Sequence, residues 1–91
     1  MTRQEMVRKA ALVCLPVSGS DGEAVILDAL AKWVKEMGEP YVASSLLGVF
    51  QDPHFVAACP GLREEMDADA DEVRVSLRRE VGQLIHRAVD G

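Results

Sequence analysis

The longest amphipathic stretch of the sequence is ADADEVRVSLRREVGQLIHRAV, residues 68–89. Its apolar residues recur at intervals of three or four positions, which places them on one face of an α-helix with 3.6 residues per turn. This spacing predicts a helix over about 68–89 that buries one face and leaves most of its charged residues in solvent. The residues of the apolar stripe are Val73, Leu77, Val81, Leu84, Ile85 and Ala88.

The start of this segment overlaps the acidic run DADADE, residues 67–72. An EF-hand calcium loop needs oxygen ligands at positions 1, 3 and 5, a glycine at position 6 and a glutamate at position 12. Counted from Asp67, position 6 is Glu72 and position 12 is Arg78. We therefore interpret the run as a helix entrance, because acidic residues near a helix N-terminus are each favourable by about 0.3–1 kcal/mol.

Capping signals predict two helices in the first half of the chain. Thr2 and Glu5 have the spacing of a capping box, in which each side chain accepts a hydrogen bond from the other residue's backbone amide. Ser20 and Glu23 repeat that spacing ahead of a second apolar stripe of helical period. This second helix is expected to stop at Gly38, since glycine readily takes the positive φ of a helix end.

The middle of the chain carries start signals for two more helices. Pro40 suits the first turn of a helix, and Asp52 followed by Pro53 repeats the pattern as cap and first position. Another turn is expected at about 62–66. No stretch alternates with a period of two, so we predict an all-α fold, a compact bundle of four to five helices without a sheet. The predicted helices are about 3–15, 22–37, 40–51, 53–59 and 68–89.

The composition is typical of a small globular protein with a single domain, residues 1–91. Its net charge of −5 disfavours nucleic acid and anionic membranes as partners at long range. The short apolar run near the N-terminus does not resemble a cleaved signal, and no run reaches the roughly 18 residues of a membrane span. The separated thiols of Cys14 and Cys59 indicate a reducing compartment, so we expect a cytoplasmic protein.

Catalytic and metal sites need particular side chains at particular spacings, and the sequence lacks them. His54 and Cys59 are five residues apart, which places them on different faces of a helix, and neither Cys-x-x-Cys nor His-Glu-x-x-His occurs. His86 lies near a predicted helix end, where capping or packing is the usual role. We expect no enzymatic activity, no cofactor, no bound metal and no small-molecule substrate.

A DNA-binding regulator of the helix-turn-helix type is the alternative hypothesis. The last predicted helix carries Arg74, Arg78 and Arg79, whose guanidinium groups suit phosphate contacts. Recognition through the third and fourth helices is disfavoured, because neither lysine nor arginine occurs between Gly38 and Leu62. Base edges are read mainly by cationic and amide side chains.

The same cation-free segment has apolar residues on more than one face of its helices, which allows two interpretations. In the first, the third helix is central and surrounded on all sides. In the second, part of the segment is exposed and binds a protein, since exposed apolar patches with aromatic anchors usually mark contacts. We therefore predict a non-enzymatic interaction module (a small regulator, inhibitor or adaptor) that binds a protein partner or a second copy of itself. The acidic residues within 64–72 would steer a basic surface of the partner. The predicted protein-binding residues are Tyr41, Leu47, Phe50, Phe55, Glu64, Glu65, Asp67 and Asp69.

Overall fold

The structure is a computed structural model that describes residues 1–90. These residues form six α-helices and no strand, and 79% of them are helical. The predicted all-α bundle is therefore confirmed. The helices are α1 (Arg3–Cys14), α2 (Glu23–Met37), α3 (Glu39–Val49), α4 (Pro53–Ala57), α5 (Leu62–Ala68) and α6 (Ala70–Asp90).

Helix α6 is the element against which most of the others pack. Its 21 residues span about 31 Å at 1.5 Å per residue, close to the 36 Å longest dimension of the protein. It lies against α1, α2, α3 and α5. The interpretation that placed the third helix at the centre is wrong, because α6 holds that position and α3 keeps an exposed side.

The core is almost entirely aliphatic and is supplied by every helix. Five residues of the predicted α6 stripe are buried, and Ala88 at its end is half-buried. Burying an aliphatic side chain of this kind is worth about 1.5–3 kcal/mol relative to leaving it exposed. The largest side chains that meet this stripe with almost no exposed surface are Met6, Ile26, Leu30, Leu46 and Leu62.

Several helix ends form as the sequence predicts. The Thr2 hydroxyl accepts from the Glu5 amide at 3.1 Å, and the Glu5 carboxylate accepts from the Thr2 amide at 3.2 Å. The hydrogen bond from the Thr2 amide is the main cause that lowers the pKa of Glu5, and the interaction with the Thr2 hydroxyl lowers it further. Asp52 caps α4 by accepting from the His54 amide at 2.9 Å. Gly38 ends α2 with φ +91°, a conformation that side-chain-bearing residues rarely adopt.

The second predicted capping box is wrong. The N-cap residue of α2 is Gly22, which precedes the first helical residue, and no side chain caps this helix. The Asp21 carboxylate accepts instead from the Ser18 amide at 2.8 Å, and the hydroxyls of Ser18 and Ser20 lie 2.6 Å apart. The loop therefore satisfies several of its own polar groups, and such local side-chain-to-backbone bonds compete with helix caps.

The segment after Gly61 forms a complete helix, α5, although the sequence indicated only another turn there. Gly61 has φ +80° and so allows the chain to reverse. Leu62 follows it and is fully buried. A seven-residue helix is marginal in isolation, so α5 depends on this contact with the core.

Because α5 ends at Ala68, the last helix begins at Ala70, two residues later than predicted. Asp69 lies between the two helices, and its carboxylate accepts from the Glu72 amide at 3.1 Å. The acidic run is therefore divided: its first residues belong to α5, Asp69 caps α6, and the last two lie in the first turn of α6. The prediction that the acidic run forms the start of a helix is therefore correct for residues 69–72.

The substitution Leu62→Ala tests whether α5 depends on its core contact. We expect a loss of about 2–5 kcal/mol in the free energy of unfolding, because the cavity at this buried site adds to the lost transfer energy. Urea denaturation followed by circular dichroism measures it. The control Val75→Ala removes a side chain that is 55% exposed on α6 and should stay within about 0.5 kcal/mol of the wild type. Equal effects of the two substitutions would contradict this account.

Candidate functional site

Two of the predicted aromatic anchors are buried rather than exposed. Phe50 retains 5% and Phe55 8% of its accessible surface. Their rings meet edge to face, with centroids 5.1 Å apart and an interplanar angle of 88°. The turn between α3 and α4 folds Phe55 back against Phe50, so the prediction that both rings are exposed contact residues is wrong.

The other two predicted apolar residues lie on different sides of α3. Tyr41 is 52% exposed, and its ring packs edge-on against Trp33 of α2 with centroids 6.4 Å apart. Leu47 is six residues further along, about 240° around the helix, and is half-buried. The structure therefore does not bring Tyr41, Leu47, Phe50 and Phe55 together into one surface.

Leu47 and Phe50 instead line a groove between α3, α5 and α6, which we call the α3–α6 groove. Phe50, Val73 and Leu77 form its buried floor, and the half-buried Leu47 and Met66 form its walls. The groove has a cavity volume of about 240 Å³. The groove lies where α5 and the end of α3 both approach α6 near its N-terminus, and the side chains there leave part of the space between the helices open. The remaining lining residues are Gln51, Ala70, Arg74 and Arg78.

The charged residues that line the groove are both arginines. Arg74 and Arg78 are four residues apart on α6 and therefore lie about one turn apart on the same side. Arg74 lies 3.5 Å from the Asp71 carboxylate, in an exposed pair of little energetic weight. Arg78 forms no ion pair with any other residue in 1–90. The edge of the groove is thus locally cationic in an acidic chain.

The predicted acidic site residues have separate roles. Glu65 pairs with Arg3 of α1 at 3.0 Å, and this hydrogen bond lowers the pKa of Glu65. Asp69 caps α6. Glu64 is exposed, and Asp67 lies with Arg63 along a more open depression that adjoins the groove at Phe50, Gln51 and Met66. None of these four carboxylates lines the groove, and Asp67 is the one that lines the adjoining depression.

The arginines of the alternative DNA-binding hypothesis do not share one face of α6. Arg74 and Arg78 are about 40° apart around the helix axis, but Arg79 is about 140° from Arg74. Arg79 is exposed and does not line the groove. A DNA duplex that contacted all three arginines would have to reach around more than a third of the circumference of α6.

The histidines and thiols are dispersed. Cys59 is buried, Cys14 is half-buried, and burial raises the pKa of the Cys14 thiol. His54 is exposed at the start of α4, and the His86 ring nitrogen Nδ1 lies 2.7 Å from the Asp90 carboxylate. Within the residues described, no group of three or more potential ligands is placed to hold a metal ion. No helix over the same residues is both long enough and apolar enough to cross a membrane.

Sequence reasoning missed several residues of the groove. It assigned Val73 and Leu77 to the core, and it assigned Arg74 and Arg78 to the helix dipole and to the DNA-binding alternative. The sequence did contain one signal, since each of these arginines directly follows a stripe residue and must border the apolar face. Nothing comparable marked Met66, because its place in the wall depends on where α5 packs.

Comparison with known proteins adds no assignment: no family model, curated protein or solved structure significantly matches this chain. The α3–α6 groove must therefore be interpreted from its own shape and charge.

The substitution Glu65→Gln tests whether the ion pair with Arg3 is structural. A carboxyl whose pKa is lowered in the folded state adds stability above its ordinary value of 4.5, and this stability is lost as the pH falls through the lowered pKa. The variant should therefore be less stable than the wild type near neutral pH, and the difference should shrink and then disappear as the pH falls below 4.5 and through the lowered pKa of Glu65. Urea midpoints over this pH range measure it. The control Glu64→Gln, which alters an exposed neighbour, should leave the pH profile unchanged; matching profiles for the two variants would exclude the ion-pair role.

Proposed function

We propose that this chain is a non-enzymatic protein-interaction module that binds an acidic amphipathic helix of another protein in the α3–α6 groove. The lining of the groove is the main support for this proposal. Its apolar floor is bordered by Arg74 and Arg78, although the chain as a whole has a net charge of −5. Such a groove favours a helix that has an apolar face with acidic residues beside it.

The apolar lining supplies the affinity. Phe50, Val73 and Leu77 are held by the core and form a rigid floor, whereas Leu47 and Met66 keep part of their surface in solvent. A partner helix would insert side chains spaced by three or four residues between α3 and α6. Methionine suits such a wall, because its unbranched side chain adapts to different apolar partners.

The charges select the partner and its direction. Arg74 and Arg78 are about 6 Å apart along α6, so two acidic residues one turn apart on the partner helix would meet one guanidinium each. At the other end of the groove, the exposed Asp67 and Asp69 would repel a further acidic group and favour a basic one. The acidic run thus keeps its predicted steering role, but toward the basic end of a mainly acidic partner.

The proposal is of binding rather than catalysis. The groove is lined by apolar side chains, one amide and two guanidinium groups, and none of these is a general acid or base near neutral pH. A small regulator, inhibitor or adaptor is the corresponding class of protein. We further propose that it acts in the cytoplasm, since its two cysteines are free thiols and a reducing compartment keeps them so.

Two synthetic helical peptides of roughly 16 residues test the proposal. Both carry leucines at intervals of three or four positions, flanked by glutamates in one peptide and by lysines in the other. Fluorescence anisotropy at low salt should show tighter binding of the acidic peptide. Ala70→Glu should weaken that binding about tenfold or more, because it places a carboxylate in the groove at an exposed helix N-terminus where the fold tolerates it.

The matched control is Ala68→Glu, which adds the same charge two residues away at an exposed position that does not line the groove. It should retain nearly all of the affinity. Equal binding of the two peptides, or equal losses in the two alanine variants, would contradict the proposal. If duplex DNA binds instead, and Arg78→Glu and Arg79→Glu weaken it equally, the DNA-binding hypothesis is favoured, since Arg79 lies outside the groove.

A further inference from the structure

A second apolar surface lies on the outer side of α2. Val25, Ala29, Trp33 and Met37 are spaced four residues apart and so form a continuous ridge along the helix. Val25 is 51% exposed and Met37 is also exposed, whereas Ala29 and Trp33 are half-buried. We call these four residues the α2 face.

Neighbouring residues extend this surface on both sides. Tyr41 packs edge-on against Trp33 and is itself half in solvent. Between the α2 face and the chain that follows α1 lies an open groove of about 440 Å³, bordered by Leu15, Pro16 and Val17. Contiguous exposed apolar surface on a domain of this size usually marks an interaction site.

A row of alternating charges runs beside the α2 face. Asp28, Lys32 and Glu36 are also four residues apart, and all three line the same groove. Lys32 lies 3.1 Å from Asp28 in an exposed pair. Glu36 forms no ion pair within residues 1–90. The charges along this row are therefore negative, positive and negative, and the last of them, on Glu36, is unpaired.

We propose that a second copy of this chain packs against the α2 face, with the two α2 helices antiparallel about a two-fold axis and Lys32 of each chain facing Glu36 of the other. A two-fold axis makes every contact occur twice, so this arrangement pairs both copies of Glu36. Pairing residue 32 with residue 36 sets the two-fold axis near position 34 of α2, so Trp33 lies beside the axis and Met37 of each chain lies level with Ala31 of the other.

The charge row is the reason for choosing a second copy over a different protein. A surface for a unique partner can carry one sign of charge, as the α3–α6 groove does. A surface that meets itself must carry both signs, because like charges across the two-fold axis repel. The α2 face meets this requirement and shares no lining residue with the α3–α6 groove, so this inference is independent of the proposed function.

Sedimentation velocity over about 5 to 500 μM tests the proposal on the full chain. The wild type should shift from monomer to dimer with increasing concentration. Met37→Lys should weaken association at least about tenfold, because it places a second cation beside Lys32 of the other chain. It should not impair folding, since Met37 is exposed and a lysine in the last turn suits the helix dipole. The matched control Val75→Lys adds the same charge at a comparably exposed residue of α6 and should leave dimerisation unaltered.

A charge exchange tests the register. Lys32→Glu should weaken the dimer, and the double variant Lys32→Glu, Glu36→Lys should recover it because the cross-chain pairs re-form with reversed signs. Trp33, the only tryptophan in the chain, gives a second readout: its emission should shift to the blue as the wild type associates. A chain that stays monomeric over the whole range, a dimer that responds equally to Met37→Lys and Val75→Lys, or a failure of the double variant to recover would each overturn the proposal.

Discussion

Burial of one face of α6 against four other helices is the interaction on which the remainder of the fold depends. No other helix in residues 1–90 reaches as many neighbours, and its buried stripe runs from Val73 to Ile85. Short elements such as α4 and α5 have too few residues to be stable alone. They are helical because their first apolar residues, Phe55 and Leu62, are buried in the core that α6 completes.

The same dependence explains why a groove forms beside α6. The stripe is broader than the elements that cover it near the N-terminus, where α5 and the end of α3 approach without filling the space above Phe50 and Leu77. Arg74 and Arg78 directly follow the buried stripe residues Val73 and Leu77 and so lie at the edge of the stripe. A fold requirement thus places two cations beside an apolar depression in an acidic protein, and that combination supports the proposed binding of an acidic helix.

The two proposed surfaces differ in the kind of selectivity that their charges allow. The α3–α6 groove is lined by one sign of charge, which favours a partner unlike itself. The α2 face carries Asp28, Lys32 and Glu36 in alternation, which permits contact with an identical surface. Apolar burial would supply most of the affinity at both, while charge would determine which surface meets which partner.

The sequence alone determined the helical class, the capping or stop positions at Thr2, Gly38 and Asp52, and the buried stripe of α6, because these follow from spacing within a few residues. It also contained a signal that was not used, since Arg74 and Arg78 each directly follow a residue of that stripe. It did not determine that α5 is a helix, that Phe50 and Phe55 are enclosed, or that Tyr41 and Leu47 lie on different surfaces. Those outcomes depend on which residues far apart in the chain come into contact, and a count of apolar side chains cannot say which of them the core has room to cover. Only the packing of α4 and α5 decided that the aromatic rings lie inside while the groove above Phe50 is left in solvent.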